Sequence, residues 1–257
     1  MDELLPGGRS GGAVLVAGTV RRPARPWTPA VHALLSHLAR AGFDGCPRPL
    51  GVDDQGREVL SYLPGAVVGT TIPWPEWTHS DLALVAVAKW LRRFHAAVAD
   101  FRPAADARWR RPHPPWTAGM VVGHGDAAPY NACWDSGRGE LVGFFDWDDA
   151  GPTSVVDDLA AVAFSWTPLH ARAVVRAEGF VAFDSRSRRL RLFLDAYGWT
   201  GTTAEVVATV RRQLLHQVDL LRRAAAEGDP AYVAMRVRGT DRDLLQAYAE
   251  LGLEQEG

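Results

Sequence analysis

Lysine is nearly absent from this chain: among 28 basic residues only Lys89 is a lysine, and the rest are arginines. The glycine-rich stretch Pro6 to Gly12 lacks the G-x-x-x-x-G-K-[ST] order of a P-loop, which disfavours that route to a nucleotide. Cysteine is scarce too. Cys46 and Cys133 lie in separate segments without metal-ligand spacing, so neither a disulfide framework nor a zinc site is expected, and a reducing cytoplasm fits. Excess charge of one sign is missing: a formal net charge of -2 and a pI near 6.4 give no electrostatic reason for a nucleic-acid or anionic-membrane partner. No apolar run reaches the length of a membrane span, and the start MDELLPGG has no basic, apolar leader pattern, so neither export nor insertion is expected. No repeat of solenoid period occurs.

What is present is an ordinary globular composition, 47% hydrophobic and 23% charged over 257 residues, enough for one large domain or two small lobes. Ten tryptophans are scattered along the chain, as befits packing and cleft lining rather than a stacking platform for bases. Ala13 to Val16 and Thr19 to Arg22 read as strands, and Thr28-Pro29 opens a helix, N-cap then N1, with Val31, Leu34, Leu35 and Leu38 inward to Arg40. Arg57 to Leu63 reads as a strand that ends at the turn Pro64-Gly65. Ser80-Asp81 caps a helix running to about Ala99, where His95 lies by the apolar stripe and is assigned to packing. After Ala160 the chain is helical, with a long helix capped at Thr202 or Thr203 and a last one capped by Thr240-x-x-Asp243.

The organising stretch is Val121 to Leu159. A strand enters a loop carrying His124, Gly125 and Asp126, and a hairpin follows with arms Ala132 to Asp135 and Glu140 to Phe145 about the turn Ser136-Gly137-Arg138-Gly139. With Asp135 paired to Glu140, regular alternation sets Asn131 opposite Phe144 and Asp146 one diagonal step away, with Asp126 at the hairpin mouth. These are two acids and an amide oxygen: an Asp and an Asn oxygen form a hard, oxygen-rich set of the kind that holds Mg²⁺ with substrate phosphates, while the other carboxylate is left to accept a proton. Asp158, opening an apolar helix, is expected to bind backbone amides. Asp148 is left open between supporting the site and facing solvent.

The residues His124-Gly125-Asp126, Asn131, Asp146-Trp147-Asp148, Ala150-Gly151 and Asp158-Leu159-Ala160 resemble the H-G-D-x-x-x-x-N, hairpin, D-W/F-[ED]-x-A-G, D-L-A pattern of the aminoglycoside phosphotransferase and choline kinase-like family. The resemblance implies an α+β, two-lobed protein kinase-like fold: a small antiparallel-sheet lobe over 1–64 that binds nucleotide, and a mainly helical lobe over 65–257 with the catalytic loop, the metal site and the acceptor pocket. It implies a kinase that moves the γ-phosphate of ATP or GTP to a hydroxyl of an antibiotic-like small molecule, with Asp126 as the base and Asn131 and Asp146 holding Mg²⁺. Gly7, Gly8, Ser10 and Gly11 are then the phosphate-covering loop, and the Ser61 carbonyl and Leu63 amide meet the base edge. The family's strand lysine and its partnering helix glutamate are both missing. Alternation puts Val20 and Arg22 on one face, which makes Arg22 the replacement for the lysine with Arg21 second, and His32 stands where the glutamate is expected. The competing readings are a kinase of a sugar or amino alcohol, a nucleotide-binding relative without activity, and a metal-dependent hydrolase. ATP versus GTP, the acceptor and any protein partners are not specified by these residues.

Overall fold

The computed structural model describes residues 3–4, 12–69 and 72–253. The chain forms two compact units, Met1–Thr71 with Val85–Asp158, and Ile72–Leu84 with Leu159–Gly257. The first unit opens with an antiparallel sheet in the order β1-β2-β3-β5-β4, built from β1 (Glu3–Leu4), β2 (Val14–Val16), β3 (Thr19–Pro23), β4 (Pro49–Val52) and β5 (Arg57–Ser61). Strands β3 and β5 pair with Val20 opposite Leu60 and Arg22 opposite Glu58. Because side chains alternate along a strand, Glu58 and Leu60 share the buried face of β5.

Helix α1 (Thr28–Arg40) buries Val31, Leu34, Leu35 and Leu38, as its periodicity predicts. Its cap differs from the expectation. Trp27 holds the N-cap position, and Thr28 is already helical, its hydroxyl accepting the Arg25 N–H at 2.9 Å and tightening the turn into the helix. Beyond β5, past the lobe boundary expected at residue 64, Ala66 exchanges two backbone hydrogen bonds with Trp134, 2.8 and 2.9 Å, so this stretch belongs to the first unit as well.

Helix α2 (Asp81–Val98) is capped by Ser80, whose Oγ accepts the Ala83 N–H at 3.0 Å; from Val85 onward it lies in the first unit. Its Trp90 is the centre of an aromatic cluster with Phe43, Phe94 and Phe144, ring centroids 5.7, 5.2 and 4.5 Å away. The indole N–H donates to the Gly45 carbonyl at 2.9 Å, which satisfies the polar edge of a side chain that is otherwise sealed. Both cysteines are buried and free, and burial pushes their thiols up to about 12.

Two further pairs complete the unit: β6 (Val121–Gly123) with β9 (Gly151–Thr153), and β7 (Ala132–Asp135) with β8 (Glu140–Phe144). The hairpin turn is held as expected, with Asp135 opposite Glu140 and the Asp135 carboxylate accepting the Gly137 and Arg138 N–H groups. Farther along, the register corrects the sequence-based one. Cys133 faces Gly143 while Trp134 faces Leu141, so one extra residue bulges from β8 and Phe144 lies opposite Ala132 rather than Asn131. The Asn131 backbone carbonyl instead accepts the Phe145 N–H at 3.0 Å, one residue nearer Asp146. Gly143 permits the close approach, since a Cβ there runs into the Gly45 carbonyl oxygen.

Helix α3 (Val155–Trp166) starts in the first unit under a Ser154 cap, whose Oγ accepts the Asp157 N–H at 3.1 Å. Asp158 therefore does not cap. It is buried and pairs with His95, Oδ2 to Nε2 at 2.9 Å, so the packing role expected for His95 includes a hydrogen-bonded carboxylate that the periodic pattern did not reveal. The second unit continues through α4 (Arg172–Ala177), α5 (Arg186–Tyr197), α6 (Thr203–Ala226), α7 (Pro230–Val237) and α8 (Thr240–Leu253). Thr202 caps α6, which turns Val206, Val210, Leu214, Val218 and Leu221 inward and packs against α7 and α8. Helix α8 begins one residue earlier than the capping-box reading: the Gly239 carbonyl already accepts the Asp243 N–H at 3.1 Å, so Thr240 lies inside the helix.

Four histidines are held below the ordinary imidazole range, each first by burial: His79 and His170 in the second unit, His113 and His124 in the first. His124 is locked neutral by its partners as well, since its Nδ1 accepts the Asp126 N–H and its Nε2 is left to donate to the Phe145 carbonyl. Burial pushes Glu178 the other way, up to about 7.

Two expectations follow from this packing. A Cβ at Gly45 lands on the Trp90 indole, so Gly45→Ala overpacks the aromatic cluster and lowers stability by about 1–3 kcal/mol; an unchanged urea midpoint rejects that assignment. Acidification is the second. Below the ordinary histidine value the unfolded chain takes up protons that these four imidazoles refuse, which destabilises the fold by up to about 1.4 kcal/mol per pH unit per histidine. Glu178 opposes this, because its folded form keeps a proton that the unfolded form releases above pH 4.5, but one group is outnumbered by four. Urea midpoints should therefore fall between pH 7 and pH 5, and a flat or rising profile contradicts the neutral assignment.

Candidate functional site

The site grows from two loops of the first unit. The loop after β6 carries His124, Gly125 and Asp126; Gly125 adopts φ +78°, and any Cβ there strikes the Asp149 carbonyl oxygen, so only glycine fits. A single 3₁₀ turn, Pro129–Asn131, then brings Asn131 back over Asp126. The Asn131 Nδ2 donates to the Asp126 carbonyl at 2.9 Å and to its carboxylate Oδ2 at 3.0 Å. The other carboxylate oxygen accepts the Tyr130 hydroxyl at 2.7 Å. With its nitrogen fixed on Asp126, the Asn131 amide turns its oxygen the opposite way.

The second loop follows β8. Asp146 stands at φ 58° and ψ 65°, a left-handed conformation that costs a non-glycine residue about 1 kcal/mol or more and is best tolerated by Asp and Asn. His124 ties the two loops together, since one ring nitrogen holds the Asp126 N–H and the other the carbonyl of Phe145, next to Asp146. The adjoining Asp149 is held by Arg111 at 2.5 Å.

Arg22 of β3 reaches this second loop. Its Nη1 lies 3.1 Å from Asp146, its Nη2 2.6 Å from Asp148 and its Nε 2.5 Å from Glu58. Burial works against the cation, but Asp148, Glu58 and Asp146 together outweigh it and raise Arg22 above the ordinary guanidinium range. Asp148, left open by the sequence, is thus buried and paired. Glu58 is the residue that sequence reasoning missed. It is 1% exposed, and its second oxygen lies 3.0 Å from the His32 Nε2, so His32 reaches the site through Glu58 rather than facing solvent. The available signal was a lone acid on the buried face of REVLS, but it points to Arg22 only once β3 and β5 are placed in register.

The structure thus joins Asp126 to Asn131 and Arg22 to Asp146, with Asn131 and Asp146 at facing ends of the hairpin. Arg21, the second choice, turns to Asp53 instead. Ser61 is bound to the backbone of Arg48 through both its N–H and its hydroxyl, and the Leu63 carbonyl accepts the Cys133 thiol. Gly7, Gly8, Ser10 and Gly11 lie outside the described residues. Among the described residues no group of three or more His, Cys, Asp or Glu is arranged as a metal cluster. A site of one carboxylate and one amide oxygen, completed by a substrate's own oxygens, falls outside that description and fits Mg²⁺. Three carboxylates, Glu58, Asp146 and Asp148, meet at the Arg22 guanidinium.

Residues 107–193, which include both loops, match the phosphotransferase enzyme family. The chain is 32% identical over 206 residues to the trifolitoxin immunity protein of Rhizobium leguminosarum bv. trifolii, covering 77% of this chain and 74% of that one. Among solved structures, the GDP complex of aminoglycoside 2'-phosphotransferase-IIIa aligns at TM-score 0.60 and 16% identity over 99% of this chain and 93% of that one. A choline/ethanolamine kinase family protein from Mesorhizobium loti aligns at TM-score 0.61 and 17% identity over 98% and 92%. These likenesses establish the two-lobed, α+β kinase-like fold. The family match and the 32% identical relative, taken with the motif-bearing loops, identify the chain as a member of the phosphotransferase enzyme family.

Proposed function

We propose that the chain is a kinase that transfers the γ-phosphate of ATP or GTP to a hydroxyl of an antibiotic-like small molecule, in the cytoplasm. The observation that carries this reading is the meeting of Asp126 with Asn131 and of Arg22 with Asp146 in one compact unit. Residues 1–64 serve as the nucleotide lobe, with Gly7, Gly8, Ser10 and Gly11 over the phosphates, the Ser61 carbonyl and Leu63 amide at the base edge, and the helices of 65–257 supplying the acceptor pocket. Arg22 grips the phosphates in its fork. Asn131 and Asp146 hold Mg²⁺, which when bound neutralises phosphate charge.

Asp126 orients the acceptor and takes its proton. Its carboxylate already accepts one hydroxyl, that of Tyr130, and an acceptor hydroxyl donates to the same group. His124, neutral and doubly bonded, keeps the two aspartate loops in register while this happens. The immunity role in the name of the Rhizobium relative supports a toxin or antibiotic as acceptor over a sugar or amino alcohol. A binding protein without chemistry is the other reading that the absent lysine and helix glutamate invite, and the Arg22–Glu58 pair weakens it by refilling both places.

The test is nucleotide-dependent phosphorylation of a panel of hydroxyl-bearing antibiotics. Asp126→Asn is expected to lower turnover by about 10²–10⁴-fold, and Asp146→Asn to abolish most of it, while both variants unfold at the wild-type midpoint. Phosphate release to water as the main reaction points to a hydrolase, and full activity in Asp126→Asn removes Asp126 from its role.

A further inference from the structure

Building on the reading above, we propose that Glu58, backed by His32, is the positioning residue for Arg22 and sets how the chain holds nucleotide phosphates. The geometry turns on the shape of a guanidinium. It has a side edge that includes Nε and a terminal edge formed by the two Nη groups, and it is planar, so fixing the side edge aims the terminal one. Glu58 takes Nε at 2.5 Å, and the terminal nitrogens are turned toward Asp146 and Asp148 at the head of the second loop. An ammonium lacks a second edge, so a lysine at this position cannot be clamped from the side and still present a fork.

Glu58 is itself held. It lies directly across from Arg22 in the β3–β5 ladder, is 1% exposed, and has its second oxygen on His32 of α1 at 3.0 Å. Each of its two oxygens therefore has a named partner, and the carboxylate has little freedom to swing away. Phosphate oxygens accept the same fork that Asp146 and Asp148 accept now, so a nucleotide meets an arginine that is already oriented. A residue on the strand, rather than one on the helix, does the clamping, and His32 carries the position of α1 to it.

Affinity for Mg·ADP, Mg·GDP and their non-hydrolysable triphosphate analogues, measured by calorimetry on the full chain, tests this without any acceptor. Glu58→Gln is expected to weaken binding about tenfold in the wild-type background but less than about twofold in Arg22→Ala, because the clamp has nothing left to aim. Arg22→Lys, which leaves Glu58 intact, is expected to bind about as weakly as Glu58→Gln, and so keeps the idea testable if the Glu58 variant does not fold. Equal losses in both backgrounds, or wild-type affinity in Arg22→Lys, overturn the positioning role and leave the kinase reading standing. Absence of nucleotide binding by the wild-type chain overturns both.

Discussion

The guanidinium of Arg22 sits where strand β3 meets the loop after β8, and the arrangement of the site depends on it. Three carboxylates from two separate parts of the chain, Glu58 on β5 and Asp146 and Asp148 beyond the hairpin, converge on one cation. Left to themselves these acids repel one another, and burying any of them unpaired costs several kcal/mol. With Arg22 among them the cost is met by charge-assisted hydrogen bonds, and the loop after β8 is tied to the sheet. That tie matters because Asp146 has a left-handed backbone, a conformation that persists only where its surroundings over-determine it. The Arg22 contact on one side and the His124 bond to the neighbouring Phe145 carbonyl on the other supply that restraint.

The local features of this site are legible in the sequence, and the non-local ones are not. Asp126, Asn131 and Asp146 are recognisable because their spacing is set within one loop and one hairpin, and Arg22 follows from alternation along a single strand. Glu58 escapes because its role depends on which residue of β3 lies across from it, and cross-strand register is decided by turns and packing far along the chain. The hairpin shows the same limit on a smaller scale. Its turn is predictable from Asp135, Gly137 and Gly139, yet the bulge before Gly143 accompanies a close passage of Gly45, which no property of the hairpin's own sequence records. Asp158 is a related case: an acid at a helix start can serve backbone amides or a distant side chain, and only the position of His95 decides. Strand β4 and the short helix α4 have too few periodic positions to stand out from loop.

On the proposed reading, electrostatics in the second unit bears on the acceptor. A polycationic acceptor is best met by acids whose charge is not already matched. Here Asp81 is held by Arg188 and Arg189, Glu250 by Arg186 and Asp241 by Arg222, while burial lifts Glu178 to about 7. Partnered arginines hold Asp81 and Asp241 below the usual carboxylate range, so their charge is stable but matched within the unit. The fold is shared with an aminoglycoside phosphotransferase, but these pairings are properties of this chain's own residues. On the reading proposed above, they weigh against a polycationic acceptor.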